Sequence, residues 1–374
     1  MIYFDNAATT LPKPPEVIRA VVEAMESFGN PSRGAHEAAL KAGRKVEECR
    51  DRLAAMFNCP DPARIAFTKN VTEALNLAIN SVGGHIVSSQ AEHNSVLRPL
   101  FRRKNFSLVE VDDLGRYQAE DVARAIRPDT QAVVLAQASN LTGNLAPFEE
   151  IGAICRDRKL LFIVDAAQSA GLFKLDMQAL SIDALCFTGH KSLYGPQGTG
   201  GICLSPAFTP EPPAVGGSGS HSFESSQPSE LPDLLEAGTL NAHGLAGLAA
   251  GLAYVERNWP ALAEETLALA RRFYEGARQI DGAVFYGDYQ APLRAPIVTL
   301  NLGAMPADEA AGLLEEDYGL AVRAGAHCAP LLHRRFGTEK QGALRFSFSS
   351  FNRPEEIDLA VAALKKIAEK APAR

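Results

Sequence analysis

The sequence lacks long apolar runs and an excess of basic residues. No uninterrupted apolar stretch approaches the length that spans a bilayer, so a transmembrane helix is not expected. Residues 1–5 also lack the basic region and apolar stretch with which a signal peptide begins. The formal net charge of -7 provides no basic surface for phosphates, so we expect neither nucleic acid nor an anionic membrane as a partner.

The cysteines form no Cys-x-x-Cys pair. In a chain of 374 residues, scattered cysteines are typical of free thiols in a reducing compartment, and not of a disulfide framework or a zinc site. We therefore expect a cytoplasmic protein without a metal centre. The six cysteines are Cys49, Cys59, Cys155, Cys186, Cys203 and Cys328.

The composition, with 46% hydrophobic and 22% charged residues, is that of a globular protein. Between residues 15 and 204, helical periodicity alternates with short apolar runs, which predicts a mainly parallel sheet covered by helices on both faces. Ligands of such sheets bind at the carboxyl ends of the strands. The expected strands are 64–68, 85–88, 106–109, 132–136, 160–164, 184–187 and 201–204.

The length exceeds what one hydrophobic core usually spans, so two domains are expected. Residues 206–232 are rich in Pro, Gly and Ser and predict a long surface excursion, whose role the sequence leaves open. The helices and strands after it predict a smaller α+β unit. We expect a large domain at 15–256, and a small domain formed by 1–14 and 257–374 that carries Cys328 and Arg345.

The segment 70–73 has the form of a helix start, with Asn70 as the cap and Glu73 reaching back to it. A helix N-terminus presents free N–H groups and a positive dipole to an anion, so this segment is a candidate phosphate seat. The alternative is that Asn70 caps a helix and nothing more.

Two candidate residues directly follow apolar strands. Asp165 ends the run 160–164, where a buried carboxylate is costly unless it meets a cation such as a protonated pyridine nitrogen; the alternative is a helix cap or a structural salt bridge. Lys191 follows the run 184–187 and precedes the glycine-rich segment 195–201, a setting that suits a partly desolvated amine. A solvated surface lysine is the alternative for Lys191.

His93 and Arg345 are candidates for ligand contacts. His93 follows the strand 85–88 and could stack on an aromatic cofactor, or be a hydrogen-bonded structural histidine. Arg345 lies inside an apolar strand and needs an anion, which either a substrate carboxylate or an internal Asp or Glu would supply.

Cys328 lies in the loop 323–330, which is built of small residues and carries an adjacent His and a nearby Arg. Small residues favour a mobile loop, and the basic neighbours can lower the pKa of a thiol, so Cys328 is the candidate nucleophile. The alternative is an inert buried cysteine, which we assign to Cys186 and Cys203 because they lie inside apolar strands.

Taken together, these segments resemble the cysteine desulfurase and selenocysteine lyase family, in the class V aminotransferase group of pyridoxal-phosphate (PLP) fold type I. The resemblance extends from residues 3–10 to Arg345 and Asn352, with the motifs in the family order. It implies an α/β fold in which the large domain has a mainly parallel seven-stranded sheet and the smaller domain is α+β. It also implies the cofactor pyridoxal 5'-phosphate.

The resemblance further implies a role for each matching residue. Lys191 would form the Schiff base and move the Cα proton, Asp165 would pair with the pyridinium nitrogen, and His93 would stack on the ring. Gln168 would bind the phenolic oxygen of the ring, and Arg345 would clamp the substrate carboxylate. The other implied contacts are Val71, Thr72, Thr188 and His190 with the cofactor, Asn140 with cofactor and substrate, Arg323 and Ala8 with the substrate, and Thr239 with the phosphate of the neighbouring subunit.

The Thr239 match implies a homodimer with shared active sites, and the short loop around Cys328 implies a dedicated sulfur-acceptor protein. The implied activity is conversion of L-cysteine to L-alanine, with a persulfide on Cys328. A selenocysteine lyase would need the same residues, whereas a class V aminotransferase would not need Cys328. The set of Lys191, Asp165, His93 and Arg345 disfavours a non-catalytic binding protein.

Overall fold

The computed structural model describes residues 1–31 and 34–372. Its large sheet has seven strands in the spatial order β2-β8-β7-β6-β5-β3-β4, which confirms the expected strand number. All neighbouring pairs are parallel except those made by β8, which runs against both β2 and β7. The strands are β2 (Ile65–Thr68), β3 (His85–Ser89), β4 (Phe106–Val109), β5 (Thr130–Ala136), β6 (Leu161–Asp165), β7 (Ala184–Thr188) and β8 (Gly200–Leu204).

Alternate residues of these strands enter different hydrophobic clusters. Val133 belongs to the cluster that contains α2 and α7 residues, while its neighbour Val134 belongs to the cluster that contains α3 and α4 residues. Both faces of the sheet are therefore buried, which explains why the strands read as continuous apolar runs.

The helices are α1 (Pro15–Ser27), α2 (Glu37–Phe57), α3 (Val71–Asn80), α4 (Asn94–Arg103), α5 (Ala119–Ala125), α6 (Phe148–Asp157), α7 (Ala242–Asn258), α8 (Ala261–Ala277), α9 (Ala307–Tyr318), α10 (Pro330–Phe336) and α11 (Pro354–Ala368).

A second, antiparallel sheet has the order β12-β13-β10-β9, and the short strands β1 and β11 pair beside it. A separate hydrophobic cluster joins Phe4 to apolar residues between Leu269 and Ile367. This cluster supports the two-domain division, which stays a prediction; residues 373–374 of the expected small domain lie outside the described ranges. The strands are β1 (Ile2–Tyr3), β9 (Ala283–Tyr286), β10 (Ile297–Leu302), β11 (Leu320–Ala321), β12 (Arg323–Gly325) and β13 (Ala343–Ser347).

No helix or strand lies between Leu204 and Ala242, a stretch that the structure describes in full and that includes the expected surface segment 206–232. None of the helices in the described ranges is long and apolar enough to cross a membrane.

Candidate active site

The carboxyl ends of β2, β3, β5, β6 and β7 meet at one edge of the large sheet, where they surround a cavity of about 300 Å³. Residues of β12 and β13 close it from the side of the second sheet. Most of the candidate residues line this cavity: Ala8, Val71, Thr72, His93, Asn140, Asp165, Gln168, Thr188, His190, Lys191, Arg323 and Arg345. Thr239 and the side chain of Cys328 are not part of the lining.

Lys191 and Asp165 form the electrostatic centre of the cavity. Burial lowers the pKa of the Lys191 amine to about 8, and the Asp165 carboxylate opposes this shift. The amine therefore has a substantial neutral fraction near physiological pH, as a nucleophilic lysine requires. Burial raises the pKa of Asp165, whose Oδ1 accepts a hydrogen bond of 2.9 Å from the Ala167 N–H. Such a carboxyl is stabilised as an anion by a cation placed against it.

His93 caps α4 and presents a neutral ring to the cavity. Its Nδ1 accepts a hydrogen bond of 3.0 Å from the Ser95 N–H, so the ring proton belongs on Nε2. Burial, together with the positive charge of Lys191, lowers the pKa of His93 to about 4. A neutral imidazole that is fixed in this way suits stacking on an aromatic ring.

Ser95 is a site residue that sequence reasoning missed. Its hydroxyl lies 2.9 Å from the His93 Nδ1 and 2.7 Å from the Thr72 hydroxyl, so it links the histidine to the start of α3. A serine at the beginning of a helix is usual, and this residue type alone gives no signal of a site.

The start of α3 acts as a helix cap and lines the cavity at the same time. Asn70 accepts a hydrogen bond of 3.1 Å from the Glu73 N–H, and the Glu73 carboxylate accepts one of 2.7 Å from the Lys69 N–H. The remaining first-turn N–H groups, those of Val71 and Thr72, have no partner within the helix, so they are available to an anion in the cavity. Gly200 packs against this turn, and a Cβ there would lie 2.7 Å from the Asn70 Cα. Segment 70–73 can therefore be a helix cap and a candidate phosphate seat at the same time.

Arg345 has an internal carboxylate partner, as one of the alternatives anticipated. Its Nη2 donates a hydrogen bond of 2.8 Å to Asp5, and its Nη1 donates one of 2.9 Å to the Asn140 carbonyl. The side chain is only 2% exposed, and its Nε has no partner among the described atoms. One buried donor is thus left for an anion in the cavity. Arg323 is directly opposite Arg345 on the neighbouring strand and adds a second positive charge.

The loop that carries Cys328 is anchored at the rim of the cavity. The Cys328 carbonyl accepts a hydrogen bond of 2.8 Å from Asn94, which follows His93, and the His327 carbonyl accepts one of 2.7 Å from the Asn140 side chain. Both His327 and Cys328 adopt left-handed backbone conformations, with φ of 49° and 57°. The structure therefore brings the thiol loop to the same cavity as Lys191.

His327 does not supply the positive charge that the sequence suggested for the thiol. Burial, together with the positive charge of Arg345, lowers its pKa to about 2, so the ring is neutral at physiological pH. This part of the sequence argument for Cys328 was wrong, because the histidine lines the cavity but is only 4% exposed.

The model of the class-V aminotransferase family matches residues 2–360. The chain belongs to this family. It is 33% identical to the probable cysteine desulfurase of Pyrococcus abyssi, over 98% of this chain and 94% of the relative. It is 31% identical to the cysteine desulfurase IscS of Vibrio atlanticus, over 97% of this chain and 92% of the relative.

A solved structure confirms the expected fold. The apo cysteine desulfurase from Thermococcus onnurineus NA1 matches with a TM-score of 0.92 at 32% identity, covering 99% of this chain and 95% of that chain. The predicted PLP fold type I, with its mainly parallel central sheet, is therefore confirmed.

Glu92 is a second buried acid behind the cavity of this family member, and sequence reasoning did not assign it a role. It is fully buried, and its carboxyl accepts hydrogen bonds of 2.6 Å from the Ser89 hydroxyl and 2.8 Å from the Ala136 N–H. Burial raises its pKa to about 8, and the nearby Asp165 charge contributes. Glu92 is therefore largely protonated at neutral pH, so it adds little negative charge beside Asp165.

We expect the Glu92→Gln substitution to change how stability depends on pH. The pKa of Glu92 rises from 4.5 in the unfolded chain to about 8 in the folded one, so its contribution is complete below pH 4.5 and is lost as the pH rises through 8. The unfolding free energy of the wild type minus that of Glu92→Gln should fall by about 1.4 kcal/mol per pH unit between those values. Urea unfolding at several pH values measures this difference. Parallel profiles for the two proteins would show that Glu92 is ionised in the fold.

Proposed function

We propose that this chain is a pyridoxal 5'-phosphate-dependent cysteine desulfurase that converts L-cysteine to L-alanine and holds the sulfur as a persulfide on Cys328. The observation that carries the proposal is the convergence of three groups on one cavity: the Lys191 amine, the Asp165 carboxylate and the loop of Cys328. The names of the relatives support the same activity.

The residues of the cavity fit this cofactor. The start of α3 with Thr72 offers donors to a phosphate, together with Thr188 and His190, whose Nδ1 is buried without a partner among the described atoms. Asp165 offers the anion that a protonated pyridine nitrogen needs. The Gln168 amide already donates one hydrogen bond of 3.0 Å to the Ala7 carbonyl, which leaves its second hydrogen for a ring oxygen.

The bound cofactor would supply a conjugated ring that withdraws electrons from the substrate Cα. Lys191, with its lowered pKa, would hold the cofactor and move the proton at that carbon. His93 would cover one face of the ring and Asp165 would keep the ring nitrogen protonated. The Arg345 Nε and the Arg323 guanidinium would bind the substrate carboxylate, with Asn140 and Ala8 beside them.

Cys328 would take the sulfur atom. Its thiolate attacks the substrate sulfur, an S–S bond forms, and the Cβ–S bond breaks with its electron pair remaining on the carbon fragment, which is protonated and leaves as alanine. An acceptor thiol then attacks the persulfide and regenerates Cys328. Because contacts on both sides anchor this loop, we expect the acceptor, most simply a dedicated protein, to approach it at the rim.

A homodimer is part of the proposal. The first helix, α1, exposes an apolar stripe of Ile18, Val22 and Met25, which are 56%, 49% and 67% exposed. Such a stripe on a helix surface fits a second copy of the chain. Thr239 is exposed and lies outside the cavity of its own subunit, as expected for a residue that contributes to the neighbouring site. We also propose a cytoplasmic location, which the six free cysteines support.

The deciding experiment is a steady-state comparison of L-cysteine and L-selenocysteine, in which alanine is measured with and without a reducing acceptor. The proposal predicts one alanine per sulfide with cysteine, and faster turnover when the acceptor removes the persulfide. A strong preference for selenocysteine would make the chain a selenocysteine lyase. Amino-group transfer to a keto acid without release of sulfide would make it an aminotransferase and contradict the proposal.

A further inference from the structure

A buried ion pair lies beneath the exposed segment that carries Thr239. Arg50 on α2 and Glu236 are joined by two hydrogen bonds of 3.0 and 3.1 Å, from Nη1 to Oε1 and from Nη2 to Oε2. Their side chains are 2% and 6% exposed. The segment that begins at Glu236 is therefore fixed to α2 by a bidentate contact in the interior.

The same pair is also bonded to β2. The Glu236 Oε1 accepts a hydrogen bond of 2.8 Å from the Phe67 N–H, and the Arg50 Nη1 donates one to the Ile65 carbonyl. The Arg50 guanidinium lies 4.7 Å from the centre of the Phe67 ring. Thus one buried cluster connects α2, the strand that leads to the α3 phosphate seat, and the chain before Thr239.

A buried ion pair is a poor stabiliser, because the cost of desolvating both charges roughly cancels their attraction. A pair that contributes little stability can still set a defined register between the elements that it joins. Here the ion pair fixes one end of a short exposed stretch, residues 237–239. Asn241 holds the other end, because it caps α7 and donates a hydrogen bond of 3.1 Å to the Gly198 carbonyl. The stretch is held at both ends, and Thr239 is exposed and does not line its own cavity.

This stretch is continuous with the apolar stripe of α1. Phe28, just after α1, lies 6.4 Å from the ring of His243, which is in the first turn of α7 and four residues after Thr239. Met25, the most exposed member of the stripe, lies three residues before Phe28. A second copy that covers the stripe would therefore meet the stretch 237–239.

We propose that the Arg50–Glu236 ion pair is a positioning element that sets Thr239 for the cofactor phosphate of the other subunit. The inference rests on the proposed cofactor and homodimer, and it adds that the pair acts across the interface. The competing role is action within its own subunit, because the pair also braces β2 and hence the phosphate seat of its own cavity.

Two mixed dimers of identical composition separate these roles. In the first, one subunit carries both Glu236→Gln and Lys191→Ala and the other is wild type, so the only intact lysine site receives Thr239 from the altered subunit. In the second, one subunit carries Glu236→Gln and the other Lys191→Ala, so the intact lysine site receives Thr239 from an unaltered segment. Two affinity tags on coexpressed chains isolate each dimer.

The measurement is the rate at which the visible absorbance of lysine-bound PLP disappears after dilution into an excess of an apo-aminotransferase that traps free PLP. The first dimer should release PLP about tenfold faster than the second, as expected when a hydrogen bond to a charged group is lost. When Thr239→Ala replaces Glu236→Gln in both dimers, the first dimer should again release PLP faster than the second. Because both dimers contain the same substitutions, a general loss of stability affects them equally.

Equal rates, or faster release from the second dimer, would overturn the inference while leaving the proposed function intact. A wild-type protein that binds PLP as a monomer would also overturn the inference. A wild-type protein that binds no PLP would contradict the proposed function itself.

Discussion

Replacing Lys191 with alanine is expected to abolish the visible absorbance of the PLP-loaded protein and to lower the rate of alanine formation by roughly 10²–10⁴-fold. Lys191 combines position in the cavity with an amine pKa lowered to about 8, so it is the amine that can attack an aldehyde at neutral pH. An absorbance spectrum of wild type and Lys191→Ala after addition of PLP measures the first effect. Alanine quantified from cysteine measures the second.

The matched control is Lys69→Ala. The Lys69 side chain is 82% exposed and its residue directly precedes the cap of α3, so it is near the phosphate seat in sequence but remains in solvent. This variant should keep both the absorbance and the activity. If Lys191→Ala stays yellow, another lysine binds the cofactor and the assignment of the cavity is wrong.

The edge of the sheet that carries the site could be predicted from the sequence, for a simple physical reason. A strand buried on both faces is a short apolar run, and the polar residues that follow it in a parallel sheet all reach the same edge. Asp165, His93 and Lys191 each follow such a run, and the structure brings all three to one cavity. The reversed direction of β8 could not be predicted, because Gly200–Leu204 has the same apolar pattern in either orientation.

The partner of Arg345 could not be chosen from the sequence either. The arginine bonds Asp5, 340 residues away, and no local pattern reports a contact between the first residues of the chain and a strand near its end. The neutrality of His327 was missed for a related reason. A histidine beside a cysteine suggests a cation only if its ring faces water or an anion, and here the ring is buried beside Arg345.

The charges of the site now form a consistent arrangement. Arg323, Arg345 and the partly charged Lys191 line the cavity together with Asp165, while Asp5 is paired with Arg345. His93 and His190 are neutral, because burial lowers the pKa of each to about 4. The cavity therefore has an excess of positive charge, which favours an anionic cofactor and the carboxylate of an amino acid.

The Cys328→Ala substitution is expected to separate the two halves of the reaction. Cofactor attachment depends on Lys191 and not on the thiol, so this variant should stay yellow. Sulfide release from cysteine should fall by at least about 10³-fold, because the other five cysteines, all among the described residues, are buried away from the loop that carries Cys328. Mass spectrometry of wild type treated with cysteine should find the extra sulfur atom on the peptide of Cys328.

Cys59→Ala is the informative control, because a hydrogen bond with Cys203 is the main cause that lowers the pKa of the Cys59 thiol to about 7. If an acidic thiol were sufficient, Cys59 would be the sulfur carrier. It is instead 7% exposed and packed in a hydrophobic core, whereas Cys328 is partly exposed in the loop at the rim of the cavity, so removal of Cys59 should leave sulfide release unchanged. Unchanged sulfide release would show that an acidic thiol in the core is not sufficient to carry the sulfur. Loss of sulfide release in Cys59→Ala, with full activity in Cys328→Ala, would make Cys59 the sulfur carrier and refute the proposed mechanism.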